Sequence, residues 1–261
     1  MNIIHTVILG IVEGLTEFLP ISSTAHLEIA QRLLGIATND FIKSFEIAIQ
    51  LGAILSVVFF YRKELLGASF LYIRNILIAF IPTGVIGFLL YKIIKSFLLG
   101  NIFVVITTLL LGGIFIVIYE YKSRNKIEKN LDRKIENLSV RELLILGSSQ
   151  ALAVMPGVSR SGAVIISGRI LGLPRILITE FSFLLAIPTM FAAVSYDLLK
   201  TGVSFTGGEW SNIILGMIVS FIVAFVVIRW FLSYIQKHSF AIFGWYRIFL
   251  SIILIIFLVY L

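Results

Sequence analysis

The sequence predicts an all-α polytopic membrane fold, built as two inverted repeats that each hold a re-entrant broken helix pair and three transmembrane helices. Three observations carry that expectation. First, 59% of the 261 residues are hydrophobic and 13% charged, with a mean hydropathy of +1.05, where soluble domains hold roughly 45–50% apolar and about 25% charged residues. Second, runs such as Ile213–Leu232 and Trp245–Leu261 carry a single arginine each and approach the ~20 helical residues that cross a hydrocarbon core. Third, two segments long enough to span are interrupted in the middle by a proline among hydroxyl residues.

Helix is the default for apolar spans in lipid, because backbone polar groups must be satisfied within the segment. Hydropathy and punctuation place full spans near 42–60, 75–91, 101–119, 177–198, 211–232 and 243–260, and the two interrupted segments at about 3–34 and 143–172. The Met-Asn-Ile-Ile start lacks a basic n-region and a small-residue cleavage site, so the N-terminus reads as mature. Between the third and fourth spans lies a charged linker with Lys122, Arg124, Lys126, Lys129, Arg133, Lys134 and Arg141. The chain is thus one membrane domain of 1–261: repeat 1 over about 1–120, a basic linker over 121–142, and repeat 2 over about 143–261.

The repeat is visible in the letters. LPISSTA followed by LLGI is matched by MPGVSRS followed by ILGL, and a shift of 137 lays Ser22 over Ser159, Thr24 over Ser161 and Gly35 over Gly172. SFEIAIQLGAI (Ser44–Ile54) parallels EFSFLLAIPTM (Glu180–Met190). With three spans per unit and a broken segment that returns to its own side, the second copy is inverted, and such breaks usually mark the site. The positive-inside rule makes cytoplasmic the side with Arg62, Lys63, Arg74, the linker, Arg169, Arg175, Lys237, Arg229 and Arg247. The other side receives Arg32, Lys43, Lys92, Lys95 and Lys200. Both termini then lie outside.

The formal charge of +7 sits largely in short loops, which suits topology and lipid headgroups rather than nucleic acid. The absence of cysteine excludes disulfides, thiolate metal sites and cysteine nucleophiles. The polar constellation lies in the breaks. Glu13 and Glu17, four apart, share a helix face, and intramembrane carboxylates usually face a cavity, a partner or a cation. Pro20 ends that helix; Ser22, Ser23 and Thr24 are natural N-caps for the next, whose start is an anion site, and His26 follows just inside. The second break, PGVSRSG, has no acid but sets Arg160 between Ser159 and Ser161, a guanidinium able to grip phosphate oxygens in pairs. If the breaks meet, carboxylates for a divalent cation, arginine for oxyanions and a Ser/His pair for attack suit phosphoryl transfer. Gln50 and Glu180, on the spans after each break, are candidates to face the cavity. His5 and His238 read as interfacial, and Arg169 and Arg175 as headgroup or topology residues.

VEGLTEFLPISSTAH and PGVSRSG resemble the two signature motifs of the undecaprenyl-diphosphate phosphatase, or bacitracin-resistance, family, and the resemblance covers essentially the whole chain, including FEIAIQLGAI and EFSFLLAIP. It implies hydrolysis of a C55 isoprenyl diphosphate to the monophosphate, recycling the lipid carrier of cell-wall synthesis in the bacterial inner membrane. It also implies a divalent cation, magnesium or calcium, and a site open to the outer face. By position, Glu13 and Glu17 are the acidic, metal-holding pair, Ser23 and His26 the reactive pair, and Arg160 the phosphate-binding arginine. Ser22, Thr24, Ser159 and Ser161 are the supporting substrate donors. Two positions depart from the pattern. Ala25 stands where the family has glycine, and Val164 where it has threonine, which deletes a hydroxyl.

Three routes stay open: Ser23 attacks with His26 as base, His26 attacks directly, or His26 activates water. Expected partners are the polyprenyl diphosphate and membrane lipids, with no nucleic acid and with a homodimer left open. The competing reading is a transporter or flippase for a lipid phosphate, because inverted repeats with broken helices are also a transport architecture.

Overall fold

The computed structural model describes residues 1–123, 131–201 and 204–260, so the linker residues Arg124, Lys126 and Lys129 lie outside the described residues. The described chain is all-helical: α1 (Ile3–Thr16), α2 (Ser23–Leu33), α3 (Asp40–Phe60), α4 (Arg62–Leu66), α5 (Phe70–Ile93), α6 (Ile102–Ser123), α7 (Val140–Ala151), α8 (Arg160–Ile170), α9 (Arg175–Thr201), α10 (Gly207–Ile235) and α11 (Ala241–Tyr260). A π-helical turn, Ile94–Leu98, prolongs α5.

Among the described residues, five helices are long and apolar enough to cross a membrane: α3, α5 with its π turn, α6, α9 and α10. The sixth expected span is α11, which over Ala241–Phe257 counts with α1 as a shorter apolar helix. The protein is therefore an all-α polytopic membrane protein. Large apolar side chains such as Phe88, Phe103, Ile222 and Phe249 are mostly exposed, as expected of helices that meet lipid rather than water.

Both interrupted segments are broken helix pairs, α1/α2 and α7/α8, and their second helices are built alike. Each has 11 residues, a serine N-cap (Ser22, Ser159) and a leucine C-cap (Leu34, Leu171). Each then ends on a left-handed glycine, Gly35 at φ 65° and Gly172 at φ 81°. The next N–H reaches back to the C3 carbonyl, Ile36 to Gln31 at 3.0 Å and Leu173 to Gly168 at 2.9 Å, the Schellman arrangement that favours glycine. The first helices end before the expected point. α1 stops at Thr16 with Glu17 as C-cap, short of Pro20, because proline disfavours helical geometry in the residue before it and cannot donate to the ladder.

The long helices position the breaks. α3 packs on α9 and α10, α1 on α10, α5 on α7 and α9, and α6 on α11. At the linker end of α7, Ser139 and Glu142 form a capping box, and Arg133 bonds Glu142 at 2.7 Å. Burial pushes the Glu142 carboxyl up, but the Ser139 N–H and hydroxyl and the Arg133 guanidinium outweigh it and hold the group below its ordinary value.

Candidate active site

The two breaks meet. Leu19 O accepts from Ser161 Oγ at 3.1 Å and from Ser159 Oγ at 3.3 Å, while the two hydroxyls lie 3.0 Å apart. Ser159 also caps α8 by accepting from Gly162 N at 3.1 Å. On the other side, Ser22 caps α2 from a positive φ of 71°. L-residues seldom hold that region, and the strain costs on the order of 1–3 kcal/mol. The two helix N-termini thus open at the same place.

Glu17 is the hub of the site. Its Oε2 accepts from Ser23 Oγ at 2.5 Å, and its Oε1 accepts from Arg160 Nη2 at 3.0 Å and Nε at 3.3 Å. Arg160 Nη1 donates to Ser182 O at 2.8 Å. Glu17 and Arg160 are both buried, at 5% and 6% exposure. A buried pair of this kind is strongly destabilised when one partner alone is removed, by about 3–5 kcal/mol. A guanidinium carries five N–H donors, so these bonds leave part of the set for a ligand.

Ser22, Ser23, Thr24, Glu17, Ser159 and Arg160 all line one cavity of about 390 Å³, within the ~300–1,000 Å³ usual for small-ligand sites. Its far wall is apolar and aromatic, with Phe80, Phe88 and Tyr91 from α5 and Met190 and Tyr196 from α9. The cavity is therefore polar at the breaks and greasy towards the α5/α9 seam.

Three expected site residues are placed elsewhere. Ser161 is fully buried and its hydroxyl is engaged with Leu19 O, so it stitches the breaks instead of lining the cavity. Glu13 lies behind Glu17, with no exposed surface. Among the described residues neither of its carboxylate oxygens meets a hydrogen-bond donor, and Glu17 follows one turn later, its N–H bonded to Glu13 O at 3.0 Å. His26 is turned away from Ser23. Its Nδ1 is 2.7 Å from Ser22 O and its Nε2 is 2.7 Å from Tyr246 Oη, with the rings stacked at 5.6 Å. A carbonyl only accepts, so Nδ1 carries the proton, and in the neutral ring Nε2 accepts from the tyrosine. The Ser23 hydroxyl has Glu17 as its acceptor, because the turn of α2 that carries His26 faces α11.

Of the two second-span candidates, Gln50 lines the cavity and Glu180 does not. Gln150 was missed by sequence reasoning. It donates to Thr189 Oγ1 at 2.8 Å and to Thr83 Oγ1 at 3.2 Å on the cavity wall. The signal was present, since a shift of 137 lays Gln150 over Glu13. Arg247, expected among the cytoplasmic topology residues, is instead 2% exposed and bonded to both breaks; an arginine at depth needs such partners.

Among the described residues no group of three or more His, Asp or Glu side chains is arranged to hold a metal ion. A magnesium ion usually takes only one or two carboxylates and completes its shell with water and substrate phosphates. Glu13 offers one such carboxylate, buried and without a hydrogen-bond donor among the described residues, one turn before Glu17.

Comparison with known proteins places the chain in a family. Residues 6–253 match the family described as "Bacitracin resistance protein BacA". The chain is 50% identical to the undecaprenyl-diphosphatase of Aquifex aeolicus over 249 residues, 95% of this chain and 96% of that protein. It is 48% identical to the undecaprenyl-diphosphatase of Sulfurihydrogenibium sp., over 97% of this chain and 98% of that one. The corresponding protein of Persephonella marina is 46% identical, over 98% and 99%. The chain belongs to the bacitracin resistance protein BacA family.

Proposed function

We infer that this chain is an undecaprenyl-diphosphatase: it hydrolyses undecaprenyl diphosphate to undecaprenyl phosphate and inorganic phosphate, recycling the lipid carrier. The observation that carries the reading is Glu17, which holds the Ser23 hydroxyl on one oxygen and the Arg160 guanidinium on the other. A base, a nucleophile and an oxyanion-binding cation thereby stand at one cavity between two helix N-termini, the parts a phosphoryl transfer needs.

In the mechanism this geometry favours, the diphosphate lies against Arg160 and the N-termini of α2 and α8, and the isoprenyl chain runs along the aromatic wall towards the α5/α9 seam. A cavity of about 390 Å³ holds the headgroup and the start of the chain, and lipid holds the rest. Ser23 Oγ attacks the terminal phosphorus as Glu17 Oε2 takes its proton. The bond from that phosphorus to the bridging oxygen breaks, and the lipid monophosphate leaves. Glu17 passes that proton to the departing bridging oxygen and is a carboxylate again. It then takes a proton from water as the water attacks the phosphoserine, and returns it to Ser23 Oγ as the phosphorus–Oγ bond breaks and inorganic phosphate departs. His26 orients the Ser22 turn through Nδ1–H, and the Ser23–Glu17 contact favours this route over the two in which His26 attacks or activates water.

Glu13 and Glu17 are the residues that would hold a divalent cation, magnesium or calcium. Such an ion would supply charge neutralisation of the diphosphate.

The two units are inverted repeats around this site. The matched caps of α2 and α8 support that reading, as do the exchanged pairings: α1 packs on α10 of the second unit, α7 on α5 of the first, and α3 on α9 and α6 on α11 across the units. The same arrangement favours the transport alternative, movement of a lipid phosphate through the site. The positive side of the chain is cytoplasmic, in a bacterial inner membrane, and the cavity opens outward.

The deciding experiment uses purified protein in detergent, where no membrane remains to be crossed. Release of phosphate from a polyprenyl diphosphate, with magnesium or calcium present, is the expected result. No release would overturn the hydrolase reading in favour of transport.

A further inference from the structure

We propose that Arg247 is a positioning residue that locks the two breaks in register, so that Ser23 and Glu17 on one and Arg160 on the other address the same phosphoryl group. The inference rests on the diphosphatase reading and adds to it a part of the last helix that no sequence motif marked.

Arg247 is the seventh of the 20 residues of α11 and sits among exposed neighbours; Trp245 and Phe249 are 60% and 65% exposed, whereas Arg247 is 2% exposed. A buried guanidinium is costly unless its donors are satisfied. The four hydrogen bonds it makes among the described residues all run to main-chain carbonyls. Nη1 donates to Pro20 O at 3.2 Å, in the first break, and Nη2 to Gly157 O at 2.9 Å, in the second. Nη2 also donates to Thr108 O at 3.0 Å and Nε to Leu109 O at 3.3 Å, both on α6. Carbonyls at a helix break inside a membrane protein have lost their ladder partners and have little water to replace them. One rigid, planar fork supplies donors to both breaks and ties both to α6.

The cradle for this fork is built. Gly112 and Gly113 on α6 face Arg247, and a Cβ at Gly112 would collide with the guanidinium. Ser251 Oγ donates to Arg247 O at 2.6 Å. Thr108 on α6 adds its own bond to the second break, Oγ1 to Pro156 O at 2.6 Å. The α6/α11 pair is thus a scaffold beneath the breaks, and among the described residues Arg247 is the side chain in it that bonds to both.

Two variants disturb the fork independently. Arg247→Lys keeps the charge and the stem but replaces the planar fork by one ammonium. Gly112→Ala leaves Arg247 in place and pushes its guanidinium aside. Phosphate release gives kcat and KM. The cysteine-free chain also allows spin labels at Leu33→Cys and Ile170→Cys, exposed last residues of α2 and α8, whose separation reports the register of the breaks. Both variants are expected to keep wild-type helicity and elution, and to lose about 100-fold in kcat, the effect of roughly 1 Å of misplacement. KM stays within about threefold, since tail binding is untouched, and the label distance distribution broadens.

Wild-type kcat in both variants would overturn the proposal, as would a fall in kcat with an unchanged distance distribution. The distance measurement needs no turnover. A wild type that released no phosphate would therefore sink the diphosphatase reading while the clamp is still judged on distances.

Discussion

Replacing Ser23 by alanine removes one oxygen from the centre of the site and little else. Ser23 Oγ donates to Glu17 Oε2 at 2.5 Å, and Ser23 is 7% exposed, so the carboxylate loses one hydrogen bond while Arg160 still holds Oε1. A hydrogen bond to a charged group contributes about 1.5–3 kcal/mol; the cavity lets water replace part of it, so stability should fall by about 1 kcal/mol or less. Activity should respond far more. If Ser23 is the nucleophile, only water attack aided by Arg160 and the helix N-termini remains. Losing one member of a nucleophile–base unit then costs at least ~10³-fold in kcat, about 4 kcal/mol of barrier. The assay is phosphate release in detergent, paired with rapid quenching of the wild type on a substrate labelled in its terminal phosphate. Label on Ser23 in the wild type and a kcat loss of that size in Ser23→Ala are expected. Wild-type turnover by Ser23→Ala, or label on His26, would refute the reasoning.

Other parts of the site make separate predictions. Arg160→Lys keeps the charge but cannot bond Glu17 through two nitrogens while also reaching Ser182 O; a loss of about tenfold to a hundredfold in kcat/KM is expected, and an unchanged value would contradict the role given to the fork. Selective 15N labelling gives only three histidine signals, from His5, His26 and His238. His26 should show the Nδ1–H tautomer, and Tyr246→Phe should shift its Nε2 resonance; an Nε2–H tautomer would contradict the geometry. The capping carboxylate Glu142 is held below its ordinary value, so its contribution to stability is present at neutral pH and is lost as pH falls through the folded-state value. The melting temperature of Glu142→Gln in detergent should lie below wild type at pH 7 and approach it on acidification; a gap independent of pH would contradict the cap.

Much of this arrangement was legible because it is local. A serine before a helix start and a glycine after its end report on their own few residues, and the 137-residue shift that aligned the letters also aligns the N-caps Ser22 and Ser159, the C-caps Leu34 and Leu171, and the left-handed glycines Gly35 and Gly172. Charge complementarity between the breaks was legible too, since Glu17 and Arg160 are each too costly at depth to stand alone. What stayed hidden depends on which side chains meet across the bundle. Arg247 lies 227 residues from Pro20, and a lone arginine inside an apolar run looks the same to hydropathy whether it flanks a span or plugs a break. Ser23 and His26 are three apart on α2 and so near one another, yet the rotation of α2 against α11 aims the imidazole at Tyr246. Spacing could suggest a Ser/His pair; only the packing showed that the serine faces a carboxylate.

The most direct test of the central claim, that two breaks far apart in sequence form one diphosphate-cleaving site, is phosphate release from undecaprenyl diphosphate by the purified wild type, Glu17→Gln and Arg160→Ala side by side. The account predicts release by the wild type and a loss of about 10²-fold or more in each variant, although the altered residues sit on opposite breaks. Comparable release by all three proteins would contradict it.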